Sequence, residues 1–492
     1  MSLDILHLCV TLAKGLMVAT VMHVVGNVVY NLFLHPLRNF PGPLLHRASR
    51  IPYCVGAIGG TLPFEILDLH KRYGPVVRVA PDELAFSDSL AWKEIMGHKT
   101  GGQEMGKWSP FTRVMDTMPS EIISADREEH SRLRRQLSHG FSDKSMRQQE
   151  PIITQYIDLL IQRLRENCEG GKALNVAAWY NYTTFDIIGD LAFGEPFGCL
   201  EGSDYHPWVK MIFEAARMGT VVQSLGHYPL LKKVLFGMVP ASLMREHDEM
   251  MKYTRAKVLK RVELDEERPD LIEGLLKKSE EWDMDLAKLE ANATILIVAG
   301  SETTATLLSG VTYFLLKHPD VISRLTHEVR SAFTTEREIN ISAVSRLTYM
   351  SACIEETLRM YPPVAIGVPR VVPRGGGTIS GHFVPENTHV AIHQWAMYHN
   401  EAHFTDPFGF HPERFLGDER FSNDNREALQ PFHVGPRNCL GKNLAYTEIR
   451  LILARVIFNF DIRLANESQG WLKQKVYNLW DKGPLYVHLQ PR

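Results

Sequence analysis

Cysteine is scarce in this chain. Six residues in 492, Cys9, Cys54, Cys168, Cys199, Cys353 and Cys439, lie scattered with no CxxC pair. A long chain with dispersed cysteines reads as reduced and cytosolic, not as a disulfide scaffold. No second cysteine or paired histidine sits at ligand spacing near Cys439, which argues against zinc. Excess charge is also missing: the formal net charge is −3, and a protein without a basic face is a poor partner for nucleic acid. Low-complexity tracts, Gly/Ser linkers, acidic tails and fixed-period repeats are lacking too, so the composition is that of a globular protein. Length alone suggests two or three domain-sized units.

One long uncharged apolar run is present, "LMVATVMHVVGNVVYNLFL", from Leu16 to Leu34. A bilayer-crossing helix needs roughly 17–25 residues. Lys14 precedes the run, and Arg38, Arg47, Arg50, Lys71 and Arg72 follow it. That bias places the body on the cytoplasmic side. A cleaved signal peptide or a buried helix are the alternative readings. "NFPGPLL" then ends the helix: Pro41 and Pro43 stiffen the chain and Gly42 loosens it, giving an elbow. Residues 1–34 are expected to be a membrane anchor, 35–50 a proline-rich elbow and 51–492 the catalytic body. The sequons at Asn181 and Asn292 would matter only in a lumen, and the second falls in a helical apolar segment.

Most of the body has helical periodicity, as in "EPIITQYIDLLIQRLREN", "VISRLTHEVRSAF" and "SACIEETLRMYPP". The stretch from Met284 to His318 is apolar nearly all round and predicts a buried central helix. Strand signals are short: "PVVRVAPDELAF" and "HVAIHQWA". Pro and Gly cluster from Pro362 to Pro385, which predicts loops and short strands.

Four motifs carry chemistry. In "FHVGPRNCLG" Cys439 lies at a helix start, where the dipole, free N–H groups and Arg437 favour a thiolate. Gly435 and Gly441 let the backbone approach something flat or bulky. Such a cysteine serves as nucleophile, redox sensor or metal ligand; a buried core cysteine is the bland reading. In "AGSETT", Gly300 costs a mid-helix position about 1 kcal/mol against Ala, and Glu302 and the threonines need partners in an apolar helix. Glu356 and Arg359 stand three apart on a helix and can pair. Finally, "EEHSRLRRQLSHGFS" presents His130 four residues before Arg134.

The pattern Phe432-x-x-Gly435-x-Arg437-x-Cys439-x-Gly441 resembles the haem-binding loop of the cytochrome P450 family. The other motifs, with "HPERF" at His411–Phe415, resemble that family's elements in the same order, and the likeness runs from "HPLRNFPGP" to "YNLWDKGPLYVHL". The resemblance implies a mainly α fold with small β-sheets behind a single N-terminal transmembrane helix. It implies haem b (iron protoporphyrin IX) with Cys439 as the axial iron ligand and Phe432 packed beside it. Arg437, Arg134, His130 and Arg370 would contact the propionates; His130 stands where an aromatic residue, commonly tryptophan, is usual. Ala299 and Gly300 would leave room for O2. Thr303 would hydrogen-bond bound oxygen or a water, and Glu302 would feed protons. Glu356, Arg359 and Arg414 would form a structural network.

As a whole, the likeness implies a membrane-anchored monooxygenase of the filamentous-fungal kind that tailors secondary metabolites. It would insert one atom of O2 into an apolar small molecule, with electrons from an NADPH–cytochrome P450 reductase, on the cytosolic face of the endoplasmic reticulum. Rival readings are a haem-thiolate coupling, ring-closing or isomerising enzyme, a haem sensor without turnover, and a helical protein with a structural cysteine. The reductase is expected on the face carrying Arg437, Lys442, Arg132 and Arg135. The substrate pocket is expected between "EMGKWSPFTRVMDTMPSEII", "AARMGTVVQSLGHYPLL", the Met284–His318 helix and "PVAIGV".

Overall fold

The computed structural model describes residues 2–99, 103–113, 118–237, 241–264, 268–278, 282 and 284–492; part of the "EMGKWSPFTRVMDTMPSEII" segment therefore lies outside the described residues. Helix α1, Ser2–Val29, continues as a π-helical turn to Leu34. The segment Cys9–Leu34 is apolar, none of it buried, and long enough to cross a membrane. The elbow that follows is not loose. Pro41 O accepts from Arg78 N at 2.7 Å, and a Cβ on Gly42 would lie 2.3 Å from Arg78 O. Gly42 is thus needed for close approach to a strand.

Seven further helices position the site: α2 (Arg127–Gly140), α3 (Asp143–Asn167), α4 (Val176–Phe193), α5 (Pro207–Gly226), α6 (Leu286–Lys317), α7 (Thr348–Met360) and α8 (Lys442–Asn459). α6 is the expected central helix. Asp285 caps it by accepting from Lys288 N, and it is buried on most sides against α4, α7 and α8.

A five-stranded sheet lies beside the helices. Its strands are β1 (Val76–Ala80), β2 (Glu83–Phe86), β3 (Gly106–Lys107), β4 (Arg370–Val371) and β5 (His389–Ala391), in the order β1-β2-β5-β4-β3. "PVVRVAPDELAF" is the β1–β2 hairpin. "HVAIHQWA" is strand only at its start; Gln394–Tyr398 is helical. Both sequon asparagines are buried, and Asn292 Oδ1 accepts from Ile122 N at 3.1 Å. A glycan fits neither. All six cysteines are free thiols.

Candidate active site

The loop Phe432–Gly441 is built around one tight contact. Gly435 has φ +79°, and a Cβ there would lie 1.9 Å from Met96 O. The glycine thus presses the loop against the chain's own backbone, where any side chain would clash. Cys439 N donates to Phe432 O at 2.8 Å, and the Phe432 ring packs against Tyr446 with centroids 5.2 Å apart. Gly441 ends the loop with no side-chain cap on α8, so the N–H groups of Gly441 and Lys442 are left to the Cys439 sulfur. Burial nonetheless raises the thiol pKa; those N–H groups and the charges of Arg134 and Lys442 only partly offset it. The expected thiolate therefore needs a metal, which deprotonates a coordinating thiol outright. The side chain is accessible, as a ligand to a bound group must be.

Cations gather beside the cysteine. Arg134, on α2, donates from Nη1 to Asn438 O at 2.6 Å and from Nη2 to Asn438 Oδ1. Arg437 donates to Ala125 O at 3.0 Å and pairs with Glu104 at 2.7 Å. Arg370 is 3% exposed; its Nη1 donates to Met105 O at 3.1 Å, while its Nε lacks a partner. The β3–β4 register sets Lys107 directly opposite Arg370. Like charges face to face destabilise a strand pair. Burial, then repulsion from Arg370 and Arg437, holds the Lys107 ammonium down to about 7. Burial and Arg437 hold Arg370 down to about 10. His130 is pushed down to about 4 by burial and then by Arg437, Lys107 and Arg134. It is a neutral imidazole, able to donate one N–H. Four cations and an orphaned guanidinium nitrogen outweigh the two nearby acids, Glu104 and Glu121, and make a cradle for an anion. Two carboxylates, as on haem, fit that donor set.

α6 is open on one stripe. Ala299 is exposed and Gly300 and Thr303 are half-exposed, while Ser301, Glu302, Thr304, Ala305 and Thr306 are buried. Thr303 Oγ1 donates back to Ala299 O at 2.6 Å, which leaves its lone pairs toward the open side. The direction of a Gly300 side chain is filled by Ile188 Cδ1 of α4 at 2.9 Å. Gly300 therefore serves close helix packing, and the room lies over Ala299. Glu302 is buried and paired: Oε1 accepts from Lys482 Nζ and from Thr306 Oγ1 at 3.3 Å, and Oε2 has no partner. Burial raises its pKa against the opposing charge of Lys482. Segment 122–125 links this helix to the cysteine loop, since Ile122 N bonds Asn292 and Ala125 O bonds Arg437.

Glu356 pairs with two arginines. Arg359 donates to both Glu356 oxygens, at 2.7 and 2.8 Å, and to Pro407 O at 2.6 Å. Arg414 Nε reaches Glu356 at 3.3 Å. A fourth member, Asp424, pairs with Arg414. Two arginines and two carboxylates, all with fully buried side chains, balance.

Sequence reasoning gave no such role to Lys107, Glu104, Asp424 or Lys482, although Glu104 and Lys107 stood in the segment expected to line the substrate pocket. A lone Lys or Asp carries no spacing signal. Lys482 stood inside "YNLWDKGPLYVHL", a quoted segment, without a role. Arg437 needs correction as a docking cation: its side chain is 6% exposed and bound to Glu104. Arg132, Arg135 and Lys442 are exposed.

Comparison with known proteins agrees with this geometry. The family model described as Cytochrome P450 matches residues 53–483. Cytochrome P450 monooxygenase prhB of Penicillium brasilianum is 48% identical over 478 residues, 97% of this chain and 98% of the relative. Cytochrome P450 monooxygenase tpeC of Talaromyces stipitatus is 48% identical, over 98% of this chain and 94% of the relative. The trichothecene C-15 hydroxylase of Fusarium sporotrichioides is 46% identical, over 94% and 95%. The chain belongs to the cytochrome P450 family: it is a haem-thiolate monooxygenase, which uses O2 and a redox-partner reductase.

Proposed function

We propose that this protein tailors an apolar secondary metabolite, with Cys439 as the axial ligand of haem b. The observation that carries the reading is the accessible Cys439 thiol beside Arg134, Arg437, Arg370 and Lys107, four cations with two acids, Glu104 and Glu121, among them. Haem bound there supplies the oxygen chemistry. The chain's own residues hold and feed it. Arg134, Arg370 and Lys107 bind its carboxylates, with neutral His130 as a further donor; Arg437, already paired with Glu104, adds positive field. Thr303 orients a hydrogen bond on the open stripe of α6, and Glu302 holds the proton that passes toward it. Glu356, Arg359, Arg414 and Asp424 fix the chain around the loop.

The substrate enters by a small cavity lined by Tyr53, Trp108, Phe111, Gln223, His227 and Ile366, which no residue of α6 or the cysteine loop lines, so it marks the approach and not the place of oxidation. These come from three of the four expected segments plus Tyr53, and their mostly apolar faces suit a hydrophobic ligand. The names of the relatives, which include a trichothecene hydroxylase, support fungal secondary metabolism as the setting. Residues 1–34 anchor the chain in the endoplasmic reticulum membrane, 35–50 form the elbow, and 51–492 face the cytosol, where an NADPH–cytochrome P450 reductase supplies electrons. The exposed residues Leu44, Leu45, Ile51 and Val55, with Leu230 and Val234, rest on the lipid.

Reduced protein under carbon monoxide should show the far-red Soret band of sulfur ligation, and Cys439→Ala should abolish it. A normal band in that variant would refute the assignment.

A further inference from the structure

A second flank of α6 carries a feature that the haem reading leaves unused. Two acceptors there have no donor among the described residues, Glu302 Oε2 and Asn181 Oδ1. Both residues are 3% exposed, and both line one recess with about 170 Å³ open to the centre of a water molecule. Buried acceptors are almost always satisfied, and a polar space of this size holds several waters. The recess is walled also by Tyr205, Arg217, Asp481 and Lys482. Arg217 and Asp481 are exposed, so the recess runs from solvent to a carboxyl on the oxygen-side helix.

Lys482 decides how that carboxyl is held. It arrives from 180 residues away, and its side chain is 5% exposed against 4% for that of Glu302. Its ammonium and Thr306 both bond Oε1, which leaves Oε2 for the recess. We propose that Lys482 is a positioning residue that pins one oxygen of Glu302 so that the other meets the recess water, making this recess the entry by which solvent protons reach α6. The inference rests on the proton-delivery reading of Glu302 and Thr303 and adds the source and the holder. A proton leaves the recess water, forms an O–H bond at Glu302 Oε2, and passes on toward Thr303, which restores the carboxylate. Over one turnover, two such protons and two reductase electrons convert O2 into one oxygen atom in the product and one water. Tyr205 and, from the end of α7, Tyr361 lie near enough to feel the Glu302 charge, which adds to burial in raising each phenol's pKa. Arg217 and Asp481 stand at the rim.

The test uses the full-length haem enzyme with reductase and no added substrate, reading the share of NADPH electrons released as hydrogen peroxide, in H2O and D2O across pH. Lys482→Gln should raise that share several-fold, and Lys482→Arg should return it to the wild-type value. Infrared titration gives a second readout. The protonated-carboxyl band that Glu302→Gln removes should titrate about one to three pH units higher in Lys482→Gln. Asn181→Leu, which plugs the recess and spares the ion pair, should raise the peroxide share as well, and it decides the matter should Lys482→Gln not fold. An unchanged peroxide share in either variant overturns the proposal, as does a Lys482→Arg enzyme as impaired as Lys482→Gln. If Thr303→Ala raises the share while these do not, the haem reading stands and this entry route falls.

Discussion

Lys107 shows how a single residue records an absent charge. Buried, facing Arg370 across β3–β4 and near Arg437, its ammonium is held down to about 7 against an ordinary 10.5. Between those values the unfolded chain binds a proton that the haem-free fold does not, so stability must rise with pH there, by up to about 1.4 kcal/mol per unit. The melting temperature of haem-free protein should therefore climb from neutral to alkaline pH, and Lys107→Met should flatten the climb. The haem-loaded protein should lack it, because propionates hold Lys107 charged. Equal slopes with and without haem would contradict the cradle. Thr303 makes a second expectation at this scale. Its hydroxyl lies on the one open stripe of α6, so Thr303→Ala should keep the haem spectrum and ligand binding yet divert electrons to peroxide, about 10²-fold or more from product. Unchanged product per NADPH would remove its proton role. Cys439, Glu356 and Arg359 were legible in the sequence because their partners lie within a helix turn or a short loop. Lys107 and Lys482 were not, because what gives each its meaning is a residue brought close by strand register or from the far end of the chain.

Elements show the same division. α6 was readable to within two residues at either end, because an apolar helix with a capping aspartate announces itself. The helical half of "HVAIHQWA" was missed because an alternating start masked it. The buried Glu356 network joins α7 to the 405–424 stretch. Glu356→Gln keeps the shape but leaves Arg359 without a carboxylate and Arg414 with Asp424 alone, so it should cost about 3–5 kcal/mol and lower haem retention, read by thermal melting with haem absorbance. At the other end, Asn31 Nδ2 of the anchor donates to Ala48 O at 2.9 Å. Ile51 and Val55 stand exposed on the next helix, and Leu230 and Val234 on the short helix after α5. The helix of Ile51 and Val55 packs on α5, and the helix of Leu230 and Val234 packs on α5 as well. Removing residues 1–34 should leave protein that still floats with lipid vesicles, and adding Leu230→Ser and Val234→Ser should release it. Complete release by the truncation alone would show that the anchor acts by itself.

The molecule as a whole is nearly neutral, at −3, so attraction of a partner must come from where its charges sit. α2 threads one arginine inward, Arg134 to Asn438, and leaves Arg132 and Arg135 outside. α8 begins with exposed Lys442, close enough to act on the Cys439 sulfur. Those three cations mark the cysteine-loop face, the shortest way in for an electron, whereas Arg437 is consumed by Glu104. A face of this kind steers association more than it tightens it, and salt screens it over about 8–10 Å. Reversing Arg132 and Arg135 to Glu should raise the reductase concentration for half-maximal haem reduction about tenfold at low salt. The gap should narrow as salt rises, while the carbon monoxide spectrum stays put. Arg437→Gln should behave differently: it removes the closer of the two arginines paired with Glu104 and disturbs the cradle, so haem content should fall before reductase dependence changes. If the double reversal leaves the reduction rate unmoved at low salt, the reductase approaches from another side.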